Sequence, residues 1–200
     1  GKFRVGNHYI SESDSKHAFE WLSVSDILKY SSNIGTTKIA FDLTYPVLKE
    51  TLDKLNIGKK TGIELPGESR GILDQKENIT PLRLSNISFG QGVATTGVQM
   101  LASYASMANG GYYVKPTLIK IEKGSEIKKQ KVFRKKTSDT ITRILKSVVN
   151  DGTGQNARIS HFEIAGKTST AQRIDEKGVY SGYVSGFIGY PVNVDRRFIV

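Results

Sequence analysis

Apolar residues recur at helical spacing through most of the chain and give way, near its end, to runs with strand character. Residues 1–20 are polar and irregular, and 11–16 are entirely hydrophilic, so this stretch reads as loop with a short strand at 3–5. Order begins at Ser23-Val24-Ser25-Asp26, which has the layout of a capping box with aspartate in place of glutamate. Ile27, Leu28, Tyr30, Ile34, Ile39 and Ala40 follow at near-helical intervals, predicting one helix that passes through Ser31-Ser32-Asn33. A second helix is predicted from Tyr45-Pro46 through Leu48, Leu52 and Leu55, stopping before Gly58.

Residues 61–78 read as a long connection, because Gly62, Pro66, Gly67 and Gly71 punctuate it and no period persists. Beyond Ser88-Phe89-Gly90-Gln91-Gly92, Thr95-Thr96-Gly97 leads into a helix carrying Val98, Met100, Leu101, Tyr104, Ala105 and Ala108, which Asn109-Gly110-Gly111 ends. Residues 112–121 and 127–133 predict hairpin strands joined through Lys123-Gly124-Ser125. Residues 137–149 are amphipathic through Ile141, Ile144, Leu145, Val148 and Val149, with an end near Gly152-Thr153-Gly154. The segments 162–171, 180–190 and 198–200 are rich in β-branched and aromatic residues and read as strands. The expected class is therefore α/β of the α+β kind, with helices packed on an antiparallel sheet.

A length of 200 residues with 38% hydrophobic content suits one globular domain with a sizeable core. No stretch approaches the ~18 consecutive apolar residues of a membrane span, and no signal-peptide hydrophobic region follows Gly1-Lys2-Phe3-Arg4. The absence of cysteine excludes disulfides and thiolate metal sites. His8, His17 and His161 lack a glutamate or second histidine at ligand spacing, so neither a metal nor a cofactor is expected. The net charge of +10 favours anionic partners, and a non-catalytic module binding cell-wall polymer or nucleic acid is one reading of it. The densest cluster, Lys128-Lys129-Gln130-Lys131 to Arg134-Lys135-Lys136, is interrupted by Val132 and Phe133 and reads as a solvated strand. Without a basic patch interleaved with aromatics, no nucleic-acid partner is expected.

Two stretches could carry chemistry. Ser31-Ser32-Asn33 places small polar residues where a helical pattern gives them no reason to be. Gly166-Lys167-Thr168-Ser169-Thr170-Ala171 lies in a predicted strand, where an ammonium and neighbouring hydroxyls can meet a carboxylate while the strand edge hydrogen-bonds an extended substrate. Either alone is weak evidence. In this order, and with Thr61-Gly62-Ile63-Glu64-Leu65-Pro66-Gly67-Glu68, Ser88-Phe89-Gly90-Gln91-Gly92, Ala108-Asn109-Gly110-Gly111, Gly152-Thr153-Gly154 and Phe187-Ile188-Gly189 around them, the chain resembles the penicillin-recognising serine acyltransferases, specifically the class B penicillin-binding proteins. Glu68-Ser69-Arg70-Gly71 and Ser88-Phe89-Gly90-Gln91-Gly92 are more similar to the septal, division-type branch than to the elongation branch.

The resemblance implies a penicillin-binding transpeptidase, or serine β-lactamase-like, fold and a D,D-transpeptidase that cross-links stem peptides ending in D-alanyl-D-alanine through a serine acyl-enzyme, with β-lactams as mimics of the donor. It implies that Ser31 relays a proton to the leaving amine and bonds Lys167, that Lys167 attracts the donor carboxylate, and that Asn33 positions the donor amide. Thr168 and Thr170 are implied to hold the carboxylate, and the backbone N–H of Thr170 to form half of an oxyanion hole. Ser169 stands where the family usually has glycine and adds a hydroxymethyl group beside the substrate. The nucleophile's S-x-x-K motif requires serine and lysine one helical turn apart. Ser13-Asp14-Ser15-Lys16 lies in a polar run and Ser125-Glu126-Ile127-Lys128 in a predicted hairpin, so the nucleophile is expected before Gly1 and the chain is expected to be the C-terminal portion, over 1–200, of a transpeptidase domain truncated at both ends. A membrane anchor outside this piece, an extracytoplasmic location and division-machinery partners are implied in turn. A β-lactamase or β-lactam sensor is the alternative within the same fold.

Overall fold

The structure, a computed structural model, describes residues 1–14, 19–75, 79–174, 180–194 and 198–200. The chain opens with a hairpin, β1 (Lys2–Val5) and β2 (His8–Ser11), where loop was expected beyond residue 5. Each strand has only four residues, too few for a period to register in sequence, yet burial of Val5 and Ile10 gives the hairpin a hydrophobic side. Lys16 and His17 lie outside the described residues.

The helix predicted from Ser23 is two helices. In α1 (Val24–Lys29), Ser23 caps the start by accepting from the Asp26 N–H at 3.1 Å, and its hydroxyl donates to the Asp26 carboxylate at 2.6 Å. The chain breaks at Ser31, whose φ of 56° is left-handed, and restarts as α2 (Asn33–Leu43). Ser32 causes the restart: its hydroxyl accepts from the Gly35 N–H at 2.9 Å, the bond of an N-cap. The small polar residues that fit poorly inside a helix are thus the joint between helices. Gly35 lets α1 and α2 cross closely, since a Cβ there would lie 2.6 Å from the Ile27 side chain.

Helix α3 (Tyr45–Lys54) follows the prediction. Helix α4 (Pro81–Ser88), capped by Thr80, was not anticipated; it packs Leu84 and Ile87 against Ala40 and Tyr45. Helix α5 (Gly97–Ala108) lies where a helix was expected and begins with a full Thr96/Gln99 capping box, which the sequence reading had not singled out. The hairpin after it is much shorter than expected, with only β3 (Tyr112–Val114) paired to β4 (Lys129–Lys131), and residues 115–128 run without regular structure. Lys128, Lys129, Lys131, Arg134, Lys135 and Lys136 are all exposed, as a solvated face should be. Helix α6 (Lys135–Asp151) leads through a 3-10 turn at Gln155–Ala157 into the antiparallel pair β5 (Ile164–Ile174) and β6 (Tyr180–Pro191). Val200 exchanges both backbone hydrogen bonds with Gly189, at 2.9 and 3.0 Å, so the chain returns alongside the outer edge of β6.

Helices therefore pack on one face of an antiparallel sheet. Tyr104 of α5 and Leu145 of α6 meet Ala165 of β5 and Tyr190 of β6, with Ile141 and Ile188 beside them. Strand alternation puts Lys167 on the same helix-facing side as Ala165, which carries its stem along the core.

A second core holds Leu55, Ile57, Leu73, Ala102 and Tyr113. Beside it sits Gln99, fully buried, whose amide nitrogen lies within hydrogen-bonding distance of the Asn56, Lys59 and Arg70 carbonyls, at 3.1, 2.7 and 3.0 Å, while its Oε1 accepts from the Thr96 N–H. One side chain ties the long connection to α5. Replacing Gln99 with leucine leaves those buried backbone groups unpaired and should cost on the order of 2–4 kcal/mol. Urea unfolding of Gln99→Leu checks this; an unchanged midpoint would show that the connection is held by something else.

Candidate active site

The site forms where the joint between α1 and α2 faces β5. The left-handed turn at Ser31 lifts its hydroxyl out of the helix line, and Lys167 of β5 donates a hydrogen bond directly to it. A second Lys167 hydrogen bond, at 3.2 Å, goes to the Thr168 carbonyl. An ammonium has three hydrogens to donate, so one stays uncommitted among the described residues. Burial against the helix layer pushes the Lys167 amine down to about 8, and no carboxylate among the described residues compensates for the lost water. The site holds a poorly solvated cation that an incoming carboxylate would satisfy.

Asn33, at the first position of α2, donates from its side-chain nitrogen to the Ser11 carbonyl at 3.1 Å. Glu12, next to Ser11, closes the clamp: its carboxylate accepts from the Ser32 hydroxyl at 2.7 Å and from the Asn33 N–H at 2.8 Å. A carboxylate at a helix N-terminus is favourable both for the free N–H groups and for the dipole. The opening hairpin thus holds the Ser-x-Asn element in place. Sequence reading missed Glu12, since an acidic residue in a polar run carries no period or spacing signal.

Along β5 the backbone faces two ways. Gly189 spends both of its backbone groups on Val200, so its pairing with Gly166 cannot be a hydrogen-bonded one. Antiparallel ladders alternate, and the Thr168–Phe187 and Thr170–Ser185 pairs are therefore also non-hydrogen-bonded. The N–H and C=O groups of Thr168 and Thr170 consequently point to the edge of β5 away from β6, an edge unpaired among the described residues. That edge can receive an extended peptide or offer the Thr170 N–H to an oxyanion.

A groove of about 740 Å³ runs beside this arrangement. Asn33 and the β2 end form one wall, Thr170, Gln172 and Ser185 the other, and Phe89 and Gln91 reach it from the segment after α4. Ser31 and Lys167 meet each other directly and are not part of its lining. Ser169 is exposed and pairs across the strands with Gly186, where a Cβ would lie 3.1 Å from the Ser169 hydroxyl. The glycine opposite makes room for the larger residue.

The other stretches that carried the resemblance have structural work here. Glu68 accepts from the N–H and hydroxyl of Thr61 and from the Gly62 N–H, closing the loop between them. Asn109 exchanges two hydrogen bonds with the Tyr112 backbone and shapes the end of α5. Ser125 and Lys128 lie in the irregular stretch before β4, without the helix an S-x-x-K pair needs. Among the described residues no cluster of histidines and carboxylates could hold a metal, and no helix is long and apolar enough to cross a membrane.

Comparison with known proteins bears on the family and the fold. The family described as the penicillin binding protein transpeptidase domain matches residues 2–200. Stage V sporulation protein D of Bacillus subtilis is 33% identical over 88% of this chain and 29% of its own length. Peptidoglycan D,D-transpeptidase FtsI of Buchnera aphidicola subsp. Baizongia pistaciae is 34% identical over 93% of this chain and 33% of its own. The chain spans about a third of the length of these relatives. Among solved structures, penicillin-binding protein 3 of Mycobacterium tuberculosis complexed with aztreonam superposes with a TM-score of 0.90 at 26% identity, covering 100% of this chain and 48% of that one. The transpeptidase domain of Burkholderia pseudomallei penicillin-binding protein 3 gives 0.91 at 25% identity, covering 100% of this chain and 60% of that one. A mixed helix-and-sheet fold shared with these transpeptidase domains, and a family match across almost every residue, mean that this chain belongs to the penicillin-binding protein transpeptidase domain family.

Proposed function

We propose that the protein containing this chain is a peptidoglycan D,D-transpeptidase of the division-type class B branch, and that residues 1–200 are the C-terminal portion of its transpeptidase domain. The observation that carries the reading is the direct bond between the Lys167 ammonium and the Ser31 hydroxyl, beside a groove lined by Asn33 and Thr170.

In this reading a serine from an S-x-x-K helix upstream gives its proton to the neutral lysine of that motif and attacks the carbonyl between the two D-alanines of the donor stem. The Thr170 N–H, turned to the free edge of β5, stabilises the oxyanion. Lys167 and the Thr168 and Thr170 hydroxyls hold the terminal carboxylate. As the tetrahedral intermediate collapses, Ser31 gives its proton to the departing amine and recovers one through Lys167. D-Alanine leaves, and the amino group of a neighbouring stem then takes the acyl group from the serine. A β-lactam enters the same way, with its own carboxylate on Lys167. We further propose a role in septal wall synthesis on the outer side of the cytoplasmic membrane, with an anchor elsewhere in the protein and partners in the division machinery. The support is the resemblance and the relatives named FtsI.

Labelling of the intact protein by a fluorescent penicillin tests the reading. Ser31→Ala and Lys167→Ala should each slow acylation by about 100-fold or more, the scale of losing a positioned proton-transfer group. Normal labelling of both variants would remove these residues from the mechanism.

The pH profile gives a separate check. With the Lys167 amine at about 8, the ammonium predominates below that pH and is lost above it. Carboxylate recognition, and with it the acylation rate, should therefore fall as pH rises through about 8. Arginine stays charged throughout this range, so whatever activity Lys167→Arg retains should lack this descending limb. A limb that persists unchanged in Lys167→Arg would assign it to another group.

A further inference from the structure

The Gly152-Thr153-Gly154 stretch has so far carried only a resemblance, yet it touches both halves of the site. At the end of α6, Asp151 accepts a hydrogen bond from the Lys29 ammonium, two residues before Ser31. The Thr153 N–H donates to the Lys29 carbonyl at 3.3 Å. Gly152 allows this approach, because a Cβ there would lie 2.7 Å from the Lys29 carbonyl oxygen and 2.9 Å from Val148. On the other side, the Thr153 hydroxyl lies 2.9 Å from the Thr168 hydroxyl, in hydrogen bond. A three-residue strut thus spans from the helix that delivers Ser31 to the strand that delivers Lys167 and Thr168.

We propose that Thr153 is a positioning residue that orients the Thr168 hydroxyl toward the carboxylate of the donor peptide or β-lactam. The inference rests on the reading of Thr168 as a residue that holds that carboxylate. A hydroxyl has one hydrogen and two lone pairs. Either hydroxyl can donate in this pair; with Thr153 as donor, the Thr168 hydrogen is left free to meet a ligand on the side away from Thr153. Without Thr153 the Thr168 hydroxyl rotates among its alternatives and must be ordered when the ligand arrives. Because the strut is anchored at Lys29, the hydroxyl so oriented stands in fixed register with Ser31.

The test is acylation of the intact protein by penicillin and by penicillin methyl ester, which lacks the anionic carboxylate. Thr153→Val keeps the shape and removes only the hydroxyl. It should slow acylation by penicillin about tenfold, the scale of one hydrogen bond to a charged group, and leave the slower reaction with the ester unchanged. Thr153→Ser should restore the wild-type rate with penicillin. In a Thr168→Val background, Thr153→Val should have no further effect, since its target is gone.

Equal rates for wild type and Thr153→Val with penicillin would overturn the proposal. So would an equal loss with the ester, which would make Thr153 a structural residue, or an additive loss in the Thr168→Val background. Failure of the wild-type protein to react with either compound is a different result: it defeats the transpeptidase reading itself and the positioning role with it.

Discussion

A lysine ammonium drawn out of water and bonded to a serine hydroxyl is the contact on which the rest of the site depends. The pairing is costly on its own, because burial disfavours the charge and no carboxylate among the described residues answers it. It is stable because both partners are held by elements that have other reasons to be where they are. Lys167 sits on the helix-facing side of β5, next to Ala165 in the core, and Ser31 sits at a left-handed joint that the Ser32 cap and the Ile27/Gly35 crossing fix on either side. A desolvated cation held in this way is preorganised for an anionic ligand.

The surrounding structure can be understood as a set of ties that keep this contact in register. The opening hairpin clamps the start of α2 through Glu12, and the end of α6 braces α1 against β5 through Asp151 and Thr153. Gln99 and Glu68 hold the long connection, which otherwise has little regular structure to restrain it. Polar side chains do much of this work. Their partners are backbone groups that no helix or strand would satisfy, which is why single residues can have effects beyond their size.

Long periodic elements were legible in the sequence and short or locally determined ones were not. Helices α3, α5 and α6 appeared where apolar spacing met proline or glycine start and stop signals, and β5 and β6 where β-branched and aromatic residues gathered. Helix α4 was missed although Thr80-Pro81 is a good start signal, because eight residues make only about two turns and Leu84 and Ile87 are too few apolar positions to establish a repeat. The hairpin at residues 2–11 failed for the same reason, and the hairpin after α5 was overextended because Leu118, Ile119, Ile121 and Ile127 look like strand residues but are exposed. At the site, Ser31 and Lys167 were recoverable from motif order. The break at Ser31 was not, since a helical pattern continued across it and only the Ser32 hydroxyl bond reveals the restart. Glu12 depends on a tertiary contact with no local signature, and Thr153 was visible as a motif without a role.

The central claim is that Lys167, assisted by the hydroxyls of β5, receives a carboxylate at the open strand edge. A crystal structure of the intact protein acylated by a penicillin measures this most directly. The account predicts the drug's carboxylate within hydrogen-bonding distance of the Lys167 amine or the Thr168 and Thr170 hydroxyls, and its ester carbonyl oxygen on the Thr170 N–H. An acylated serine whose carboxylate points into solvent, with the Lys167–Ser31 contact intact but touching nothing of the ligand, would contradict it.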